Sequence, residues 1–249
     1  MIITFVHHSC FVVEMQDRML IFDYFRNENV KGYEFTGVLP EFPTDKPIYV
    51  FSSHFHQDHF DLEILRWAEE YANIRYILSK TIRLGDRYLT RNGIDPKIKE
   101  KITFTKPDKK YFIDDMEIKT LKSTDVGVAY LVYAEGKCIY HAGDLNTWKW
   151  EGAGDLVNGK EEKAFKREMH KLEKEEIDVA FVVVDSRQQH FATDGLDYYM
   201  KNIDAKAIFP MHMWQDYSPI AKYKAKATNA AFLSRLVTIT GENEAYEIL

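Results

Sequence analysis

The segment Pro47-Ile-Tyr-Val-Phe51 leads within two residues into Ser53-His54-Phe55-His56-Gln57-Asp58-His59, and this junction constrains the fold more than any other stretch. A short apolar run rich in β-branched and aromatic residues reads as a strand buried on both faces. Polar residues at the end of such a strand lie where α/β proteins place their sites. His54 and His56, two residues apart, project to the same side of an extended chain. A turn at Gln57 can aim Asp58 and His59 at a second nearby point. Three imidazoles and a carboxylate in so short a span are metal-ligating chemistry, and one loop can feed two adjacent metal positions.

The rest of the chain alternates between period-2 and period-3.6 patterns. Strands are predicted over 2–6, 11–14, 19–23 and 47–51, with a turn at Gln16-Asp17. An irregular loop over 26–46 holds Gly32, Gly37, Pro40 and Pro43. Leu62, Leu65 and Ala68 fall at helical spacing behind a capping Asp61. A strand over 75–78 and a helix over 80–91 follow. Strands are predicted at 102–104, 110–113, 116–121, 128–133 and 137–140, with a hairpin turn at Glu135-Gly136. A loop over 142–157 precedes a charged helix over 160–176 whose Phe165, Met169 and Leu172 share one face. Then come a strand at 179–184, helix 195–202, strand 207–209, helix 219–236 and strands near Val237 and Tyr246. This order predicts an α/β fold with two sheets packed face to face and helices outside, as one domain over 1–249. Gly152, Gly154 and Gly159 make 146–176 a candidate lid.

Two further segments add metal-ligating chemistry. His141-Ala-Gly-Asp144 follows a predicted strand, and the carboxylate of Asp144 has two oxygens with which to bridge two cations. Met211-His212-Met213 follows the strand 207–209 and puts another imidazole at a strand end. Trp148, Trp150 and Trp214 follow these segments and are candidates to line a substrate pocket. Arg187 is a candidate to hold a phosphate or carboxylate, and His190 to donate a proton. One of His7 and His8 is expected to hydrogen-bond a metal ligand from behind, and His8 and His141 are the candidates for such a role. His170 reads as exposed helix surface.

The acidic balance, 33 Lys and Arg against 39 Asp and Glu, argues against nucleic acid or an anionic membrane as partner. Two cysteines, Cys10 and Cys138, cannot build a disulfide framework, and both read as buried small hydrophobes. No signal peptide or membrane span is legible, so a cytoplasmic protein with a small-molecule substrate is expected. The oligomeric state stays open, a homo-oligomer included.

The order strand, His-x-His-x-Asp-His, later Gly-Asp and a late Pro-x-His resembles the metallo-β-lactamase superfamily. Val6-His7-His8-Ser9-Cys10-Phe11 is similar to its Gly-His-Ser-Ser-Phe segment, and Leu20-Ile21-Phe22-Asp23 to its Ile-Asp segment. The branch of the L-ascorbate 6-phosphate lactonases is the nearest in pattern. The resemblance implies a four-layer αββα sandwich with its site along one edge. It implies His54 and His56 at a first metal position, Asp58, His59 and His212 at a second, and Asp144 bridging. It also implies one or two divalent ions, zinc first and manganese or iron as alternatives. These would make hydroxide from bound water near neutral pH, with Asp58 orienting it.

One departure stands out. The family usually supplies a third His to the first metal; here the matching stretch is Leu121-Lys-Ser-Thr-Asp-Val-Gly127, with Thr124 at the His position. Three readings stay open: Asp125 ligates instead, the first position is weak and the metal single, or His141, His8 or His190 completes it. A carboxylate- or water-completed site is the favoured expectation, and it would shift preference toward manganese or iron. The expected function is metal-dependent hydrolysis of a small anionic phosphoester, phosphodiester or lactone. A non-catalytic or regulatory binding protein on a degenerate frame is the alternative. Dioxygen chemistry is disfavoured, because di-iron members carry Glu where His56 stands.

Overall fold

The structure, a computed structural model, describes residues 1–26, 28, 30, 33–226 and 233–248. Gly32 of the predicted loop and 227–232 of the predicted last helix lie outside the described residues. The chain divides into two compact units, Met1–Lys106 with Glu242–Leu249, and Pro107–Gly241. Each carries one mixed sheet with helices, so the α/β class read from the sequence holds. Among the described residues no helix is long and apolar enough to cross a membrane.

In the first unit, β1 (Ile2–His7), β2 (Cys10–Glu14), β3 (Met19–Phe22), β4 (Ile48–Ser52), β5 (Ile74–Ser79), β6 (Ile102–Thr105) and β13 (Glu244–Glu247) form a seven-stranded sheet in the order β13-β1-β2-β3-β4-β5-β6. Pairing is antiparallel from β13 to β3 and parallel from β3 to β6. All five positions of β4 are buried, as a strand covered on both faces requires. One face of the sheet packs Val12, Ile21, Val50 and Tyr76 against Ile64, Leu65 and Leu89. The opposite face is aromatic: Phe5 meets Phe11 and Phe22 stacks on Phe51 at 4.7 Å. The register Phe22↔Phe51 sets the ends of β3 and β4 side by side, which positions Asp23 beside Ser53.

In the second unit, β7 (Lys110–Ile113), β8 (Met116–Lys122), β9 (Val128–Ala134), β10 (Lys137–His141), β11 (Ile177–Val183) and β12 (Ala205–Met211) form a sheet in the order β12-β11-β10-β9-β8-β7. β7 to β10 are an antiparallel meander; β10, β11 and β12 run parallel. Glu135 and Gly136 both have positive φ, +50° and +70°, the geometry of the expected hairpin turn. Phe165 and Met169 of the Asp155–Met169 helix and Leu172 after it are buried, as their spacing predicts. The Asp194–Asn202 helix buries Leu196, Tyr199 and Met200.

Several elements differ from expectation. The helix expected over 80–91 forms only at Asp86–Arg91. The Ser79 and Thr81 hydroxyls bond each other, Ile82 N–H turns back to the Ser79 carbonyl, and Lys80 N–H is spent on Thr105. These bonds satisfy the backbone outside a helix. Leu62–Glu69 is a 3₁₀ segment, with the expected Asp61 side chain accepting from Glu63 N–H. The charged helix starts earlier, at Asp155. The strand expected near Val237 reduces to one bridge, Ile208 with Leu236. The described part of the last helix spans Ser218–Lys226.

Gly37 lies against β1, where an added Cβ would meet the Val6 carbonyl oxygen at 2.7 Å and His7 Cδ2 at 2.6 Å. β1 is pinned between β2 and β13, so its backbone cannot retreat. Gly37→Ala is expected to destabilise by roughly 2 kcal/mol, seen as a lower urea midpoint at unchanged slope.

Candidate metal centre

In the first unit the organising residue is Asp23, fully buried at the end of β3 with φ of +46°. Its Oδ1 accepts the Ser53 backbone N–H at 2.7 Å, and its Oδ2 accepts the Ser53 hydroxyl at 2.6 Å and His59 Nδ1–H at 2.7 Å. His59 is therefore protonated at Nδ1, and in the neutral ring that metal ligation requires, Nε2 carries the lone pair. Ser53 Oγ, its proton committed to Asp23, accepts from His54 Nδ1–H at 2.9 Å. His54 Nε2 then carries a lone pair too, and it converges on His56 Nδ1 at 2.9 Å. The turn that presents these rings is closed by His59 and Phe60 N–H, both bonded to the His56 carbonyl.

Asp58 Oδ2 lies 3.4 Å from His8 Nε2 and 3.6 Å from His59 Nε2. His8, Asp58 and His59 each offer a ligand atom within 4.8 Å of the others. His8 thus joins the donor group itself rather than standing behind it. His7 has another job: its ring packs 4.6 Å from both Phe25 and Phe35. Burial outweighs a backbone hydrogen bond at Phe25 and lowers its pKa to about 3, keeping it neutral.

The second unit repeats this logic. His212 follows β12 at φ of +65°; its Nδ1 lies 3.2 Å from Asp185 Oδ2 and its Nε2 3.4 Å from Asp144 Oδ1. Burial alone would raise the Asp185 carboxyl, but hydrogen bonds from His212 and Arg187 outweigh it and hold it well below the usual carboxylate range. Arg187 grips Asp185 through Nε and Nη2 and stacks on Trp214 at 4.3 Å. Trp148 and Trp214 flank the His212 ring at 5.8 and 5.6 Å. Asp144 sits in the turn opened by Gly143, whose N–H bonds His141 Nδ1. His190 pairs with exposed Glu151 at 2.7 Å and belongs to neither ligand group among the described residues.

Thr124, at the position of the missing His, is a latch. Its hydroxyl donates to the Asn146 carbonyl at 2.6 Å and accepts Asn146 N–H at 3.0 Å, tying its loop to the one that carries Asp144. The neighbouring Asp125 offers a carboxylate oxygen within 4.8 Å of one from Asp144.

Asp23 and Asp185 were not among the site residues expected from sequence. Each fixes the tautomer of an imidazole that faces a second carboxylate, the arrangement metal-ligating histidines use. Each is the first carboxylate after an apolar strand, Met-Leu-Ile-Phe-Asp23 and Val-Val-Val-Asp185, and that was the available signal. The donor set is imidazole and carboxylate only, and it fits a divalent ion of the zinc, manganese or iron type.

Residues 2–152 match the family described as the beta-lactamase superfamily domain. The chain belongs to the beta-lactamase superfamily. Solved structures agree on the fold of this superfamily member. The metallo hydrolase Igni18 of Ignicoccus hospitalis is 18% identical with a TM-score of 0.59, covering 99% of this chain and 98% of that one. A possible metal-dependent hydrolase of Veillonella parvula is 12% identical at 0.58, covering 100% and 99%. An isothiocyanate hydrolase from Delia radicum gut bacteria is 13% identical at 0.56, covering 99% of each. Among curated protein sequences there is no match.

Proposed function

We propose that this superfamily member is a metal-dependent hydrolase of a small anionic substrate. In the first unit His8, His54, His56, Asp58 and His59 would be ligands, and in the second unit Asp125, Asp144 and His212 would be. The observation that carries this is the pair of buried carboxylate–imidazole bonds, Asp23 to His59 and Asp185 to His212, which leave each Nε2 lone pair facing a second carboxylate. At such carboxylate–imidazole pairs a bound divalent cation would supply Lewis-acid chemistry toward a carbonyl or phosphoryl oxygen and toward water. Asp58 Oδ2, set between His8 and His59, orients the attacking water by accepting its hydrogen bond. Trp148 and Trp214 shape the surroundings of His212. Arg187 acts chiefly by holding Asp185.

The substrate is proposed as a phosphoester, phosphodiester or lactone, in keeping with the sequence pattern of the ascorbate-phosphate lactonase branch. Hydrolysis at another carbon electrophile is a neighbouring class, given the isothiocyanate hydrolase among proteins of the same fold. Zinc is the proposed ion; the carboxylates Asp58, Asp125 and Asp144 make manganese or iron the alternatives.

Elemental analysis of the purified protein, joined to a screen of bis-p-nitrophenyl phosphate, p-nitrophenyl phosphate and lactones, tests this. Bound metal and turnover that both fall by at least ~100-fold in His59→Ala are expected. A metal-free protein with no turnover under added zinc, manganese or iron would overturn the enzyme and leave a binding protein on the same frame.

A further inference from the structure

The same loop that carries His54 and His56 turns Phe55 outward, 52% exposed, onto an open groove of about 800 Å³ within the first unit. Its floor and wall include Phe60, Ile82, Leu84 and Tyr88, the last 40% exposed. Two large exposed aromatic side chains, Phe55 and Tyr88, thus share one groove with buried Ile82 and Leu84, a contiguous apolar surface of the kind that marks a binding site. The groove exists because Lys80–Leu84 turns instead of forming the helix its pattern suggested.

The polar lining has one sign. Lys80, Arg83 and Lys106 line the groove, and among the described residues no carboxylate does. This is a local reversal in a chain of net charge -6. The nearest acid along the lining segment, Asp86, is paired with Lys99. Apolar walls with a few cations suit a ligand with a greasy body and a single anionic group, and the volume is that of a small-molecule site.

We propose that this groove binds an amphipathic anion, an alkyl or aryl chain bearing a phosphate, sulfate or carboxylate. We further propose that it holds the body of the substrate; this second clause rests on the hydrolase proposed above. Phe55 would link the two sites, because its neighbours in sequence are His54 and His56. A membrane surface is not the occupant favoured here, since the apolar residues line a concavity and not a protruding ridge.

Octane-1-sulfonate is a suitable probe, because it cannot be hydrolysed and is a poor metal ligand. Calorimetry with the full-length protein as purified is expected to show binding at least ~10-fold tighter than for methanesulfonate or octanol. Lys80→Gln with Arg83→Gln should weaken it by about 10-fold, Lys80→Arg with Arg83→Lys should retain it, and added salt should weaken it. Phe112→Ala, an exposed aromatic on β7, should change nothing. Equal affinity for octanol, or no loss in the Gln pair, overturns the groove as an anion site. Equal affinity for methanesulfonate overturns its apolar half.

The substrate clause is read separately. Octyl p-nitrophenyl phosphate should show a KM at least ~10-fold below the methyl ester at similar kcat, with the difference lost in the Gln pair. Equal KM values overturn that clause. If octane-1-sulfonate binds as expected while neither ester is hydrolysed, the hydrolase falls and the groove stands.

Discussion

Asp23→Asn is expected to abolish tight metal binding while leaving the fold intact. Asp23 Oδ2 receives two protons, one from Ser53 Oγ and one from His59 Nδ1. An amide nitrogen at that place has protons of its own and can accept neither. The Ser53 hydroxyl then turns to the other atom within its reach, His54 Nδ1 at 2.9 Å, which must accept and so must lose its proton to Nε2. His59 Nδ1 must likewise become an acceptor. One exchange of O for NH₂ therefore protonates Nε2 on both rings and removes both lone pairs from the ligand set. The expected loss in metal affinity is at least ~100-fold, since two imidazoles are affected where one misdirected ligand costs 10–100-fold. The Ser53 backbone N–H keeps its Oδ1 partner, so the melting temperature of the metal-free protein should move by only a few degrees. Asp23→Ala leaves buried donors without any acceptor and should destabilise by about 2–5 kcal/mol. Metal competition against a chromophoric chelator, with thermal unfolding beside it, separates the two variants. Unchanged metal affinity in Asp23→Asn would mean that the Asp23 bonds do not set the ligand tautomers.

The strands were legible because their apolar runs are short, β-branched and bounded by turns, as in the strands Ile48–Ser52 and Val128–Ala134. His54, His56, Asp58 and His59 were legible because they sit in one loop. Asp23 was legible as a carboxylate after an apolar strand, but its bonds to Ser53 and His59 were not, because they depend on the register that sets β3 beside β4. Arg187 illustrates the converse. Its fork looked available to a substrate anion, but the nearest carboxylate in space is Asp185, two residues away in sequence. His7 and His8 are adjacent in sequence and opposite in use. The first lies between Phe25 and Phe35, supplied by a loop whose packing has no period to read, and the second faces Asp58. The helix expected over 80–91 shows an apolar pattern losing to Ser and Thr hydroxyls that satisfy the backbone locally.

Asp125 is the residue on which the missing third His turns. Thr124 cannot take that part, because its hydroxyl is engaged on both the carbonyl and the N–H of Asn146. That latch holds the Asp125 loop against the loop of Asp144, and the two carboxylates come within 4.8 Å of each other. Two carboxylates so close repel unless a cation lies between them or one is protonated. Asp125→Ala is expected to weaken one metal position by at least ~10–100-fold while leaving metal bound by His8, Asp58 and His59 in place. Asp125→His should restore that position and shift its preference from manganese or iron toward zinc, because an imidazole replaces an oxygen donor. Thr124→Ala, by contrast, should lower thermal stability through loss of the latch and affect metal only as the loop loosens. Elemental analysis of the three variants, with zinc and manganese affinities measured in competition, distinguishes a ligand from a latch. If Asp125→Ala keeps the wild-type metal content and affinity, Asp125 is not a ligand, and the first position is completed by water or left weak.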